Sequence, residues 1–331
     1  MKIPFYKPDI EEKEIIKVAD VIRSGWLTQG KIVEELEKEF AKYVGAKYAV
    51  AVDSCTSALY LAVNRLDLKK GSKIALSPLT FAASASAIIH NGHYPYFIDI
   101  GEEYSEHEID ATMVIHYAGV EHKTVTKKPV IYDSAHLVKK NQCLNKRGFH
   151  CFSFYPTKPV ASLEGGMICT NNKKDAEWFR KARLHGINAD GFKRYQGGEW
   201  DYAVDFVGWK MNMTDVQAQL ALSQLRKLDK MNKRRQEILD KYNEAFDMDN
   251  KGLHLYPMMS YDRGRFIEGM KKKGINCAVH FPPLHLQPAY KDFKRDLRAV
   301  QRIGDSIVSI PFYSAMSDKE VDYIIKSVKG V

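Results

Sequence analysis

Between residues 48 and 169 the chain repeats one short pattern, and that repetition limits the fold more than any other feature. Tyr48-Ala49-Val50-Ala51-Val52 reads as a buried strand, and residues 56–66 carry helical spacing. Lys73-Ile74-Ala75-Leu76-Ser77 is a strand, 81–90 a helix and 96–99 a strand. Two more strands are expected at 113–116 and 130–133, joined by a short link without a clear helical pattern. Strands at 151–154 and 166–169 follow. Short apolar strands alternating with helices imply an α/β fold, a mostly parallel sheet sandwiched by helices.

The flanks complete the outline. Asp9, with Glu12 three residues on, predicts a capped first helix whose apolar face is Ile15, Ile16, Val18, Ala19 and Ile22. Gly25 ends it, and a second helix over 33–43 ends at Gly45. Beyond Gly186 the pattern loosens into a loop holding Tyr195, Trp200, Tyr202, Phe206 and Trp209. Thr214 with Gln217 then opens a long helix. A chain of 331 residues suggests about two domains, expected as a large one at 1–228 and a smaller C-terminal α/β domain at 229–331.

Composition narrows the setting. The five cysteines, Cys55, Cys143, Cys151, Cys169 and Cys277, are odd in number and include no C-x-x-C pair. Neither a disulfide framework nor a metal site is expected, and a reducing cytoplasm fits best. No apolar run is long enough for a membrane span, and the N-terminus has no apolar signal region. The net charge of +9 comes from scattered short lysine runs, the mark of a solvated surface rather than a nucleic-acid interface.

Four segments carry candidate chemistry. Asp53-Ser54-Cys55-Thr56-Ser57 lies where a strand meets a helix, and backbone N–H groups there bind phosphate, with the Thr56 and Ser57 hydroxyls as further donors. The plainer reading is a helix cap. Asp133-Ser134-Ala135-His136 follows a strand, where ligands of such sheets sit, and Asp133 can pair with a protonated ring nitrogen. Lys158 stands between two strand-like runs, in Ser153-Phe154-Tyr155-Pro156-Thr157-Lys158 and ahead of Glu164-Gly165-Gly166. Partial burial there makes a usable amine. In Lys210-Met211-Asn212-Met213-Thr214-Asp215 an Asn stands between two Met just before the long helix.

Together these segments resemble the DegT/DnrJ/EryC1/StrS family of pyridoxal-phosphate (PLP)-dependent nucleotide-sugar aminotransferases. The likeness runs from Ser24-Gly25-Trp26-Leu27-Thr28 to Pro282-Pro283-Leu284-His285. It implies an aspartate aminotransferase-like, fold type I enzyme. It also implies that Lys158 binds PLP covalently and that Asp133 pairs with its ring nitrogen. His136 stands beside the ring, Phe81 stacks on it, and Ser153, Cys55 and Thr56 hold the phosphate. Asn212 reaches the phosphate of the neighbouring subunit, which implies a homodimer with shared sites. Trp26, Thr28 and His285 are the expected substrate contacts. Glutamate is the expected donor, and the acceptor is the keto group, at C4, of a nucleotide-linked keto-deoxy sugar.

The chain departs from its relatives in several places. Cys55 stands where most carry Gly, and Tyr132 and Ser134 also differ. The stretches 116–129 and 258–266 look shortened. Sugar dehydratases of this kind carry His at the position of Lys158, which argues against that alternative. A non-catalytic homologue of the fold is disfavoured by the presence of both Lys158 and Asp133.

Overall fold

A computed structural model of the chain describes residues 1–102, 105–188 and 202–331. In chain order the helices are α1 (Glu12–Arg23), α2 (Lys31–Val44), α3 (Cys55–Arg65), α4 (Ala82–His90), α5 (Lys173–Ala182), α6 (Asp215–Phe246), α7 (Arg263–Lys272), α8 (Arg298–Ser306) and α9 (Asp318–Lys329). The strands are β1 (Tyr48–Val52), β2 (Lys73–Leu76), β3 (Tyr94–Phe97), β4 (Ala111–Ile115), β5 (Val130–Asp133), β6 (Phe149–Ser153), β7 (Gly166–Thr170), β8 (Tyr256–Met259) and β9 (Ile307–Ile310).

The residues group into two units that alternate along the sequence. One holds Ile10–Lys69 and Pro129–Lys227. Its strands run in the order β1-β7-β6-β5. β5 and β6 are parallel, and β7 is antiparallel to both β1 and β6. Every residue of β5, β6 and β7 is buried, as expected of strands covered on both faces. α2 and α5 pack on β1, while α3 packs on β6 and β7.

The other unit holds Met1–Asp9, Lys70–Lys128 and Leu228–Val331. Its parallel strands run β4-β2-β3, with β2 in register with both neighbours. An antiparallel pair, β8 with β9, adds a second small sheet. Ile3, Ile238, Tyr242, Tyr256, Ile310 and Tyr313 are central to a separate apolar core in this unit. Lys70–Lys128 thus groups with the C-terminal residues from Leu228 on.

Local chemistry explains where elements begin. α1 starts later than Asp9 predicts: Glu11 is the cap, in a capping box with Glu14, and Asp9 instead accepts the Ser314 hydroxyl. Gly45 closes α2 with a φ of 72°, in the left-handed region that glycine enters freely. The Thr214–Gln217 box at the head of α6 forms as read. α5 has no counterpart in the sequence reading; the Asn172 side chain caps it by accepting the N–H groups of Lys174 and Asp175. Among the described residues no helix is long and apolar enough to cross a membrane.

Candidate active site

Lys158 lies in a tight turn after β6. Its N–H donates to the Tyr155 carbonyl at 2.8 Å. The turn is clamped where Phe154 N–H meets the Gly165 carbonyl and Ser162 N–H meets that of Phe154. Burial lowers the amine pKa to about 8, and the charges of nearby Asp133 and Cys55 pull it back up. Desolvation disfavours the ammonium form, so this lysine gives up its proton more readily than a surface lysine does.

Asp133 ends β5 and is only 7% exposed. Its Oδ1 accepts the Ala135 N–H at 3.1 Å. Ser134 fixes the turn, donating its N–H to the Cys151 carbonyl at 2.8 Å while its hydroxyl accepts from Gln142 at 3.0 Å. His136 follows, also buried. Ser153, the last residue of β6, is buried and its hydroxyl accepts the Tyr155 N–H at 3.3 Å.

The start of α3 is capped by Ser54, whose side chain accepts the Ser57 N–H at 3.1 Å. The Ser54 and Ser57 hydroxyls bond each other at 3.0 Å, so Ser57 serves the cap rather than standing open as a donor. Thr56 is exposed on the first turn, and Cys55 is buried. Burial pushes the Cys55 thiol well up, and Asp133 and Cys151 add to the effect. The glycine pair is explained by packing: a Cβ on Gly166 would lie 2.5 Å from the Ser54 carbonyl carbon and 2.7 Å from the Cys55 nitrogen. Only a bare Cα lets β7 pass this close to the turn.

Asn212 pairs with Val52, and the Asp53 N–H donates to the Met211 carbonyl at 2.9 Å. Its amide donates to the Met213 carbonyl at 3.4 Å and its Oδ1 accepts from the Lys210 ammonium. Trp26 and Thr28 lie in the same unit, on the loop between α1 and α2, with Thr28 exposed.

Phe81 and His285 belong to the other unit. Phe81 is the N-cap residue of α4, 63% exposed, with its ring 6.0 Å from that of Phe281. His285 is 1% exposed, and neither ring nitrogen has a hydrogen-bond partner among the described residues. Burial lowers its pKa, Asp99 raises it and Lys294 lowers it.

In the aromatic loop, Phe206 and Trp209 pack on their own unit. Trp178 stacks on Phe206 at 5.5 Å and 1°, and Trp209 meets Tyr60 edge-on at 5.5 Å. Tyr202 stays exposed, while Tyr195 and Trp200 lie outside the described residues.

Thus Lys158, Asp133, Cys55, Thr56, His136, Ser153 and Asn212 share one unit. They supply an activated amine, a fixed carboxylate and a helix start suited to an anion.

Comparison with known proteins gives the same direction. The sequence model of the DegT/DnrJ/EryC1/StrS aminotransferase family matches residues 8–125 and 123–329. The chain is 36% identical to the uncharacterized protein MJ1066 of Methanocaldococcus jannaschii, over 99% of this chain and 97% of that one. That alignment runs to 376 positions, so the relative carries insertions that this chain lacks. The chain is 35% identical to the spore coat polysaccharide biosynthesis protein SpsC of Bacillus subtilis, again over 99% and 97%. Among solved structures it is similar to Spr1654 of Streptococcus pneumoniae in its PLP form, a protein assigned as a sugar aminotransferase. There the TM-score is 0.89 and the identity 27%, covering 100% of this chain and 98% of that one.

Proposed function

This chain belongs to the DegT/DnrJ/EryC1/StrS aminotransferase family of PLP-dependent sugar aminotransferases, and on that premise we propose that it moves an amino group from glutamate to the C4 keto group of a nucleotide-linked keto-deoxy sugar. The carrying observation is Lys158, an amine held at a pKa of about 8 next to the buried carboxylate of Asp133. The sugar class is supported by the names of the relatives SpsC and Spr1654.

The donor set fits PLP. An amine suits its aldehyde, a carboxylate its ring nitrogen, and the first turn of α3 with exposed Thr56 its phosphate. Ser153 adds a hydroxyl to that phosphate side. When bound, the cofactor supplies an electron sink for the bond broken at the donor Cα.

The remaining work falls to side chains. Asp133 keeps the ring nitrogen protonated by placing a negative charge against it. Lys158 would hold the cofactor covalently, and its buried amine would carry the proton taken from the donor Cα. The family resemblance assigns His136 and Phe81 to the ring, and Trp26, Thr28 and His285 to the sugar. Five free cysteines support a reducing, cytoplasmic setting.

The active unit in this reading is a homodimer in which Asn212 holds the partner's phosphate. A second arrangement is favoured by one observation: Asn212 pairs with Val52, beside its own phosphate turn. In that arrangement Asn212 serves its own subunit.

The test is a two-step assay. Glutamate alone bleaches the near-visible band of the bound cofactor and releases 2-oxoglutarate. Nucleotide-linked 4-keto sugars then restore the band, and NMR locates the new amine. Restoration only by 3-keto sugars would overturn C4, and no response to any nucleotide sugar would overturn the substrate class.

A further inference from the structure

α2 starts without a cap of its own. Its N-cap residue is Gly30, which has no side chain to offer, although the first amides of any helix need acceptors. The acceptor comes from far along the chain. Asp215, only 3% exposed, takes the Gly30 N–H at 2.8 Å and the Val33 N–H at 3.0 Å on Oδ1, and the Ile32 N–H at 3.3 Å on Oδ2. Its own N–H donates to the Thr28 carbonyl at 3.1 Å. Trp26 closes the loop, its indole N–H donating to the Gln29 carbonyl at 3.2 Å. A Cβ on Gly30 would stand 2.4 Å from Trp26 Nε1 and 2.7 Å from Asp215 Oδ2.

The other end of the same segment grips the phosphate turn. Met211 accepts the Asp53 N–H, and Asn212 pairs with Val52. Residues 211–215 therefore bond to the turn at one end and to the Trp26–Gly30 loop at the other.

We propose that Asp215 is a positioning residue that ties the Trp26–Thr28 loop to the phosphate turn, so that sugar recognition and cofactor anchoring share one frame. The proposal rests on the reading of Trp26 and Thr28 as sugar contacts. A Ser or Asp at position 30 is the usual local cap, but Trp26 and Asp215 occupy the space its Cβ would need. What the distant carboxylate adds is a fixed distance between the loop and residues 211–214. The small amino donor needs only the cofactor side of this frame, whereas the sugar needs both.

Two variants test it. In Asp215→Asn one acceptor becomes a donor facing the Ile32 N–H; in Gly30→Ala the new Cβ pushes the loop from the opposite side. Both are expected to raise KM for the sugar about tenfold or more, while the glutamate half-reaction stays within about twofold of wild type. Equal loss in both half-reactions, or no change in either, overturns the coupling. A wild-type protein that glutamate does not bleach would instead overturn the proposed amino donor. Amide hydrogen exchange gives a readout free of turnover, in the wild-type holoenzyme. Gly30, Val33 and Asp53 are expected to exchange as one cooperative group. Independent exchange of Asp53 from the other two overturns the proposal, whatever the variants do.

Discussion

Lys158 was legible because of its company, and the structure gives that company a physical effect. The ordinary ammonium value of 10.5 falls to about 8, mainly through burial. Folding thus disfavours the ammonium relative to the unfolded chain, and between about pH 8 and 10.5 the folded chain holds fewer protons than the unfolded one. Apoprotein stability rises with pH across that window. The neutral amine is also the nucleophile, so covalent capture of PLP by the apoprotein is expected to speed up as pH rises through about 8 and then level off. Stopped-flow absorbance measures this, and a flat rate from about pH 6 to about pH 10 would contradict it. Lys158→Ala is expected to lose both the near-visible band and turnover while keeping the far-UV circular dichroism of the parent. Asp133 acts by charge instead. Asp133→Asn is expected to retain the cofactor but slow the glutamate half-reaction by about a hundredfold or more, since an amide cannot hold the ring nitrogen protonated. Rapid mixing with glutamate reads the rate, and wild-type speed would remove Asp133 from its role.

At the scale of elements, the site depends on how closely β7 passes the head of α3. Gly166→Ala places a methyl 2.5 Å from the Ser54 carbonyl carbon, against backbone that cannot swing away. The expected outcome is weaker PLP binding together with a stability loss of about 1–3 kcal/mol, read by cofactor titration and urea melting. Unchanged PLP affinity would mean that the turn tolerates displacement. This contact shows why some of the site was readable and some was not. The Glu-Gly-Gly run is a visible motif, but its reason, a strand brushing a turn a hundred residues earlier, is tertiary. Strands β1 and β5 were placed at their observed limits because apolar runs between turn signals mark them plainly. The direction of β7 was not readable, since a short apolar run has no polarity. α5 was missed because charged residues dominate it and only Ala176, Phe179 and Ala182 are buried. Asp215 stayed hidden behind the Thr214–Gln217 box, which already accounts locally for a polar cluster.

At the scale of the whole molecule, the open question is whether one chain completes a site. Asn212 is 8% exposed, hydrogen-bonded to its own Met213 carbonyl and next to its own phosphate turn. Phe206 and Trp209 pack against Trp178 and Tyr60 of the same unit. Apolar surface persists nearby at Val207, 90% exposed, and Val204, 58% exposed, which suits an isologous contact. Mixing two inactive variants separates the two arrangements. Lys158→Ala removes the amine, and Asn212→Asp sets a negative charge against the phosphate. Suppose Asn212 reaches across a two-fold axis. A mixed dimer then gathers both lesions in one site and leaves the other intact, so activity is expected to recover to about half of wild type per mixed dimer. Suppose instead that Asn212 serves its own subunit. Each site of the mixed dimer then carries one lesion, and nothing recovers. Subunit exchange is followed independently by native mass spectrometry of differently tagged chains. Exchange without recovery would overturn the shared site, and recovery would show that Asn212 acts across the interface.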